Sequence, residues 1–441
     1  MNNKADDERA GLLALAAASV VVGAITGAIG TLFRFSLERA DEWRNALVAW
    51  GHAGHAYSYA YAFVFVVFGA AAVTAFAAWL VARFAPVASG SGIPHVEAVL
   101  RGDVPPAPLT LIPIKFIGGV LAIGAGLALG REGPTVQMGA SIAHGVGVIF
   151  KREARDWRVL LAAGAGAGLA TAFNAPIAGA VFVLEELMRR FDTRTAVAAL
   201  GASAAAIAMA RLLHGDLPDF HLPAQPFPGL ELTAAHLVLG AILGVFGAAY
   251  CRAILWTLDI ADTLPRRVSI GYAVTRAAAI GALVGLLAWF APTLAGGGDA
   301  LSEQALLGAG SIASVSAIFV LRFVLGPVSY AAGTPGGLFA PMLTLGAQIG
   351  FVFGSFCLHW FPGMMPATGG VGTFAVVGMA AFFTAVVRAP VTGIVLVTEM
   401  TASFSLLLPM LTACFTAMTV PMLLRCAPIY DSLGKRASRS R

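Results

Sequence analysis

The amino-acid sequence predicts an all-α polytopic membrane protein, built as two structural repeats whose broken helices surround a pathway near the bilayer midplane. Three observations carry this. First, 58% of the 441 residues are hydrophobic and only 12% are charged, against about 45–50% and roughly 25% in soluble domains. Second, residues 10–33, 159–184, 323–387 and 400–424 contain no Asp, Glu, Lys or Arg. The third of these stretches is long enough for two or three crossings at about 20 residues each. Third, the chain repeats itself. Gly130, Pro134, Gly139, Ala140 and Ile142 recur at one constant offset as Gly337, Pro341, Gly346, Ala347 and Ile349. Ala175, Pro176, Gly179 and Glu185 recur as Ala389, Pro390, Gly393 and Glu399, at an offset longer by seven residues. A difference in loop length accounts for that change.

In chain order, residues 1–9 (MNNKADDER) are acidic and mixed, unlike the basic start of a cleavable signal peptide, so the first apolar run is expected to stay in the mature chain. This segment reads as a cytoplasmic N-terminus. Residues 10–430 read as one transmembrane domain, with repeat one over about 10–212 and repeat two over about 232–430. The segment between them, 213–231, carries Pro218, Pro223, Pro226 and Pro228 and reads as a loop between halves. Residues 431–441 form a basic tail with Lys435, Arg436, Arg439 and Arg441. Its position beside the last apolar span places the C-terminus in the cytoplasm of a multi-pass cell (inner) membrane protein.

The balance of 28 Lys+Arg against 23 Asp+Glu gives a net charge of +5. The basic residues gather in connecting segments (Lys151, Arg152, Arg155 and Arg158; then Arg189, Arg190 and Arg194), so they report topology and do not point to nucleic acid. Cys251, Cys357, Cys414 and Cys426 match no metal-ligand spacing and no disulfide framework; they read as small buried hydrophobes. No cofactor or metal is expected.

Three Gly/Pro clusters interrupt the apolar runs: Gly90-Ser91-Gly92-Ile93-Pro94, Gly130-Arg131-Glu132-Gly133-Pro134, and Gly336-Gly337-Leu338-Phe339-Ala340-Pro341. Proline near a helix start costs no hydrogen bond, and irregular backbone inside a membrane is tolerated where it lines a cavity. Free N–H groups and the positive end of the helix dipole make each such start a latent anion site. The alternative at this level is a set of ordinary kinks and re-entrant turns.

Arg131 and Glu132 are the charged residues of the run 116–150. Charge at that depth costs a few kcal/mol and is usually functional, and a carboxylate facing a partly wet cavity can exchange protons near neutrality. Lys115 heads the same run; it either raises the local potential for anions or snorkels from a helix end. Glu185 and Glu186 close an apolar run just before Arg189 and Arg190, which also suits an interfacial salt-bridge cluster. Arg388 and Glu399, in the matching region of repeat two, are expected to pair or cap, and Glu97 to find a buried partner.

With these motifs in order, the sequence is similar to the CLC family of chloride channels and transporters. The three clusters resemble the family's anion-pathway signatures. The stretches Ala175-Pro176 to Glu185-Glu186 and Arg388-Ala389-Pro390 to Glu399, with the late Tyr430, follow the same pattern. The resemblance covers roughly 10–433. It implies two inverted repeats of tilted and broken helices around a midplane anion pathway, and a homodimer in the lipid bilayer with a pathway in each subunit. Chloride and protons are the implied substrates. Ser91, Tyr430 and the backbone N–H groups of Leu338 and Phe339 would hold chloride, and those near Arg131, Glu132 and Gly133 would bind the anion or the gate further out. Glu132 would be the gate and outer proton acceptor. Glu186 would be the inner proton station, and its presence favours a chloride/proton antiporter over a passive, proton-gated chloride channel. Serine rather than proline at position 91 favours chloride over nitrate. His95 departs from the family's frequent acid, and Gly139-Ala140-Ser141 from a commoner Gly-Gly-Asn. No regulatory nucleotide-binding pair follows the last helix, as in short prokaryotic members. An intramembrane serine protease using Ser141 and His144 is a remote alternative, because Ile142 breaks the expected nucleophile signature; no enzyme activity is expected.

Overall fold

The computed structural model describes residues 2–54, 56–215, 220, 222, 229–263, 270–362 and 370–439. Among them the regular elements are helical, and β pairing is confined to two isolated bridges. Repeat one holds α1 (Asn2–Ala53), α2 (Ala56–Phe84), α3 (Ile93–Arg101), α4 (Leu111–Gly124), α5 (Glu132–Ile149), α6 (Ala154–Phe173), α7 (Pro176–Phe182) and α8 (Thr193–His214). Repeat two holds α9 (Thr233–Thr263), α10 (Ile270–Phe290), α11 (Asp299–Leu306), α12 (Ile312–Tyr330), α13 (Phe339–Trp360), α14 (Gly370–Val387), α15 (Pro390–Thr401) and α16 (Leu407–Leu423). A final helix, α17 (Ile429–Arg439), carries Tyr430. The proline-rich segment 213–231 lies mostly outside the described residues.

The repeat read from glycines and prolines is the repeat of helix starts. Glu132 and Phe339 open α5 and α13, Pro176 and Pro390 open α7 and α15, and Thr193 and Leu407 open α8 and α16. Among the described residues, nine helices are long and apolar enough to cross a membrane: α1, α2, α8, α9, α10, α12, α13, α14 and α16. The short helices α3, α7, α11 and α15 cannot cross at about 1.5 Å per residue; they are the broken pieces the Gly/Pro clusters predict.

Local chemistry explains the breaks. α6 ends at Asn174 and α14 at Arg388, equivalent residues that both take left-handed backbone, φ 49° and 73°. A left-handed arginine is strained. Its guanidinium holds it there, donating to the carbonyls of Ala385, Met418 and Cys426 at 3.3, 3.3 and 2.9 Å. An Ala-Pro step then opens α7 or α15 on a new axis. Gly92 at φ 80° makes the corresponding turn into α3, where any side chain would also strike Gln137.

The most buried helices are α5 and α6, packed on each other in repeat one, and α13 and α14, packed on each other in repeat two; α14 is buried almost along its whole length. Lipid tails are as apolar as leucine, so packing in this layer depends on close approach rather than on expelling water. Backbone contact at Gly139–Gly164 and at the equivalent Gly346–Gly378 provides it; a β-carbon at Gly139 would lie 2.1 Å from the Gly164 carbonyl oxygen. Three of the four cysteines are buried in this apolar setting, and all are free thiols.

Two contacts establish that the repeats are inverted. Gly130 and Gly337, equivalent residues, form an antiparallel bridge. Glu185, just beyond the end of α7, bonds the start of α15, while Glu399, near the end of α15, bonds the start of α7. Equivalent helices that cap each other at opposite ends run antiparallel.

Candidate functional site

The three Gly/Pro clusters meet in space. Gly90 N donates to Thr334 O at 3.0 Å, and Gly336 N donates back to Gly90 O at 3.1 Å. Gly130 and Gly337 exchange both backbone bonds, at 2.9 and 2.7 Å. The starts of α3, α5 and α13 are thereby tied to a common point. Gly133 sits so close to Ser91 that a β-carbon would lie 2.7 Å from the Ser91 Cα.

Glu132, the first residue of α5, is fully buried, and its Oε1 accepts from Phe339 N at 2.6 Å. Its Oε2 has no hydrogen-bond partner. A carboxylate of repeat one thus occupies the start of α13 in repeat two, where the dipole and the free N–H groups favour a negative charge. Ser91 is buried; its Oγ accepts from Ile93 N at 3.4 Å and its N donates to Tyr330 Oη at 3.3 Å. Tyr430, at the second residue of α17, is fully buried, packs on Phe339 with ring centroids 5.9 Å apart, and has an unpartnered Oη. Phe339 also stacks on Phe173 and meets Phe182 and Phe383 edge-to-face, which fixes its ring and so the N–H at the helix start.

Lys115 does not snorkel. It is fully buried on α4, and its Nζ donates to Ala88 O at 2.9 Å and Gly90 O at 2.8 Å. Among the described residues no carboxylate pairs with it. A buried amine therefore stands directly behind the Ser91 turn and pins its shape. Arg131 turns away from Glu132, donating to Ala172 O at 2.7 Å.

A second cluster lies beyond Tyr430. α7 runs into one π-helical turn, Val183–Leu187, which carries Glu185 and Glu186. Their side chains part. Glu185 leaves for the start of α15, whereas Glu186 is buried within reach of Glu97, 3.7 Å from Arg189. Arg189 in turn pairs with Asp431 on α17 at 2.9 Å. Glu97 is buried on α3 with its nearest cation, Arg101, at 3.7 Å; both of its oxygens lack a good hydrogen bond. Tyr430 stands within electrostatic range of both Glu132 and Glu186. Next to Gly130 and Arg131, a cavity of about 180 Å³ is lined also by Arg34, Glu38, Asp41 and Asp299 among others.

All the pathway residues read from the sequence, Gly90 to Pro94, Lys115, Gly130 to Pro134, Leu338, Phe339 and Tyr430, fall in or against this one region, with Glu186 in the adjoining cluster. Arg388 and Glu399, expected to pair or cap, do not pair with each other but cap: the guanidinium closes the end of α14 on three carbonyls, and Glu399 caps the start of α7. Ser141 and His144 do not meet as a dyad either. Ser141 Oγ bonds Gln137 O, and His144 Nδ1 accepts from Trp157 Nε1. Sequence reading missed Tyr330, which supports Ser91, and Arg322, which is buried and grips the carbonyls of Leu294, Gly296 and Gly297. Arg322 did carry a signal, being a lone charge between apolar segments.

Residues 70–421 match the family model described as voltage gated chloride channel. The chain is 38% identical over 429 residues to the H(+)/Cl(-) exchange transporter ClcA of Vibrio cholerae serotype O1 (strain M66-2), covering 96% of this chain and 89% of that one. It is 36% identical over 427 residues to the ClcA of Cronobacter sakazakii, covering 95% and 89%. Among solved structures it is similar to a slow cyanobacterial Cl-/H+ antiporter, with a TM-score of 0.89, 34% identity, and 96% and 97% of the two chains covered. This multi-pass membrane protein belongs to the voltage-gated chloride channel (CLC) family.

Proposed function

We propose that this protein exchanges chloride for protons across the bacterial inner membrane, with Glu132 as the gate shared by both ions. The observation that carries the reading is the Glu132 carboxylate bound to Phe339 N at 2.6 Å, at the junction of three helix starts. Ionised, this carboxylate fills an anion position. Protonated, it loses the charge that the helix starts favour and leaves, and chloride replaces it. Chloride then takes its donors from the backbone N–H groups of Leu338 and Phe339, the Ser91 hydroxyl and the buried, unpartnered Tyr430 hydroxyl. A charge-assisted hydrogen bond is worth about 1.5–3 kcal/mol, so carboxylate and chloride compete on similar terms. That similarity is what an exchanger needs.

Glu186 serves as the inner proton station. Its burial beside Glu97 and its contact with Arg189, at the edge of α17, set it between the basic C-terminal side and the pathway. The similarity to exchange transporters along nearly the whole chain supports coupled transport over the passive channel, and supports transport over catalysis. Each chain carries a full set of ligands, which suits a homodimer with a separate pathway in each subunit. The C-terminus faces the cytoplasm.

The test is flux in liposomes of purified protein, loaded with chloride, voltage-clamped with a potassium ionophore, with chloride and pH recorded together. Chloride efflux with linked proton movement supports the reading. Efflux without linked protons leaves the passive channel, and no efflux above empty vesicles removes both.

A further inference from the structure

We propose that Glu185 and Glu399 form a reciprocal clasp that positions the inner proton station, so that both are positioning residues for proton coupling without themselves carrying protons. The proposal rests on the reading of Glu186 as that station.

The clasp is built from five hydrogen bonds. Glu399 Oε1 and Oε2 accept from Ile177 N at 3.0 Å and Ala178 N at 2.7 Å. Glu185 Oε1 accepts from Val391 N at 3.1 Å; its Oε2 accepts from Thr392 N and from Thr392 Oγ1, both at 2.7 Å. Glutamate and capped residue stand eight positions apart in each repeat, Ile177 to Glu185 and Val391 to Glu399. Two antiparallel segments of matched length therefore close on each other at both ends. Each carboxylate satisfies N–H groups that a helix start leaves unpaired, and each sits at the favourable end of the partner's dipole.

Besides the extra Thr392 Oγ1 bond, the two halves differ in how the helix is wound at the glutamate. In repeat two, Glu399 is followed by Met400, and α15 continues as an ordinary α-helix to Thr401. In repeat one, Glu185 is followed by Glu186, and the helix is wound there as a π turn. π turns are rare and mark functional sites. Relaxing one back to α-helix shifts the following side chain by about 100° around the axis. Glu185 is anchored to α15 from inside this turn, so the clasp holds the turn open. That setting turns Glu186 away from α15 and towards Glu97 and Arg189. Glu399 acts on the same helix from its other end, by fixing where α7 begins.

Losing one carboxylate cap shifts a local equilibrium by about fivefold to tenfold. Glu399→Gln and Glu185→Gln should therefore each lower the protons moved per chloride to less than half of wild type, while chloride efflux continues. A merely structural loss would lower efflux and thermal stability together and leave the proton-to-chloride ratio unchanged. Glu399→Gln is the sharper variant, because Glu399 lies in the other repeat and bonds backbone only. In a double-mutant cycle, Glu185→Gln with Glu399→Gln should uncouple no further than the worse single variant, since one clasp is lost either way. Thr392→Val, which removes one bond and keeps both carboxylates, provides a milder second probe and should give a small fall in the ratio. The comparison is proton uptake driven by a chloride gradient, with efflux measured in the same vesicles. Wild-type coupling alongside unchanged ratios in all three single variants, or additive losses in the cycle, overturns the clasp alone. A wild-type protein that moves chloride without protons removes the exchanger reading, and the clasp's role with it.

Discussion

Glu132 and Phe339 hold the same position in the two repeats, and the side chain of the first accepts a hydrogen bond from the backbone of the second at 2.6 Å. The relationship crosses the inverted interface at the point where Gly130 and Gly337 pair. A duplicated helix start has been used in two ways. In repeat one it supplies a carboxylate, and in repeat two the N–H that receives it. The proposed gate and anion site rest on that division.

Ser91→Pro removes the Ser91 hydroxyl and the N–H that Tyr330 accepts. A small, strongly hydrated anion depends more on directed donors than a weakly hydrated one. Loss of one charge-assisted hydrogen bond, about 1.5–3 kcal/mol, should lower the chloride-to-nitrate permeability ratio roughly tenfold. Anion-substitution flux measurements read this directly. An unchanged ratio would assign selectivity to the helix ends alone.

Lys115→Met keeps most of the side-chain volume and removes the buried amine. Ala88 O loses the donor that Lys115 provides, whereas Gly90 O keeps Gly336 N. A buried carbonyl left unsatisfied costs about 1–3 kcal/mol, so the melting temperature should fall. The concentration of chloride giving half-maximal flux should rise severalfold, because the amine that fixes the Ser91 turn is gone. A lower melting temperature with unchanged chloride dependence would make Lys115 a brace only.

Gly133→Ala tests the meeting of α3 and α5. The added β-carbon would lie 2.7 Å from both Cα and O of Ser91, which are backbone atoms and cannot rotate aside. Overpacking of this kind costs about 1–3 kcal/mol, occasionally more. Chloride flux should fall far more than expression or membrane insertion. Wild-type flux in a well-folded variant would show that the two helix starts can separate without harm.

Much of this was legible because glycine and proline mark backbone breaks wherever they fall. The offsets of Gly130 to Gly337 and of Pro176 to Pro390 carried the duplication, and the lone mid-membrane pair Arg131–Glu132 marked the centre. Glu185 and Glu186 illustrate the limit. Periodicity says that two adjacent acids diverge, and they do, but it cannot say that one of them caps a helix start more than 200 residues away. The π turn that separates them leaves no composition signal, since Val-Leu-Glu-Glu-Leu suits an ordinary helix equally well. Lys115 shows the same limit. Whether a lysine at the edge of an apolar run snorkels or turns inward depends on carbonyls supplied by another segment, here Ala88 and Gly90. Non-local hydrogen bonds decide such cases.

In the proposed exchange, chloride and proton movements are linked through Glu132, with Glu186 feeding it. The most direct measurement is uphill proton uptake into liposomes driven by an outward chloride gradient, for wild type, Glu132→Gln and Glu186→Gln. Moving one proton against 100 mV takes about 2.3 kcal/mol, which a leak cannot supply. Wild type should show uphill uptake and neither variant any, with chloride still moving in both and independent of pH in Glu132→Gln. Uphill proton uptake by Glu132→Gln would remove Glu132 from the proton route.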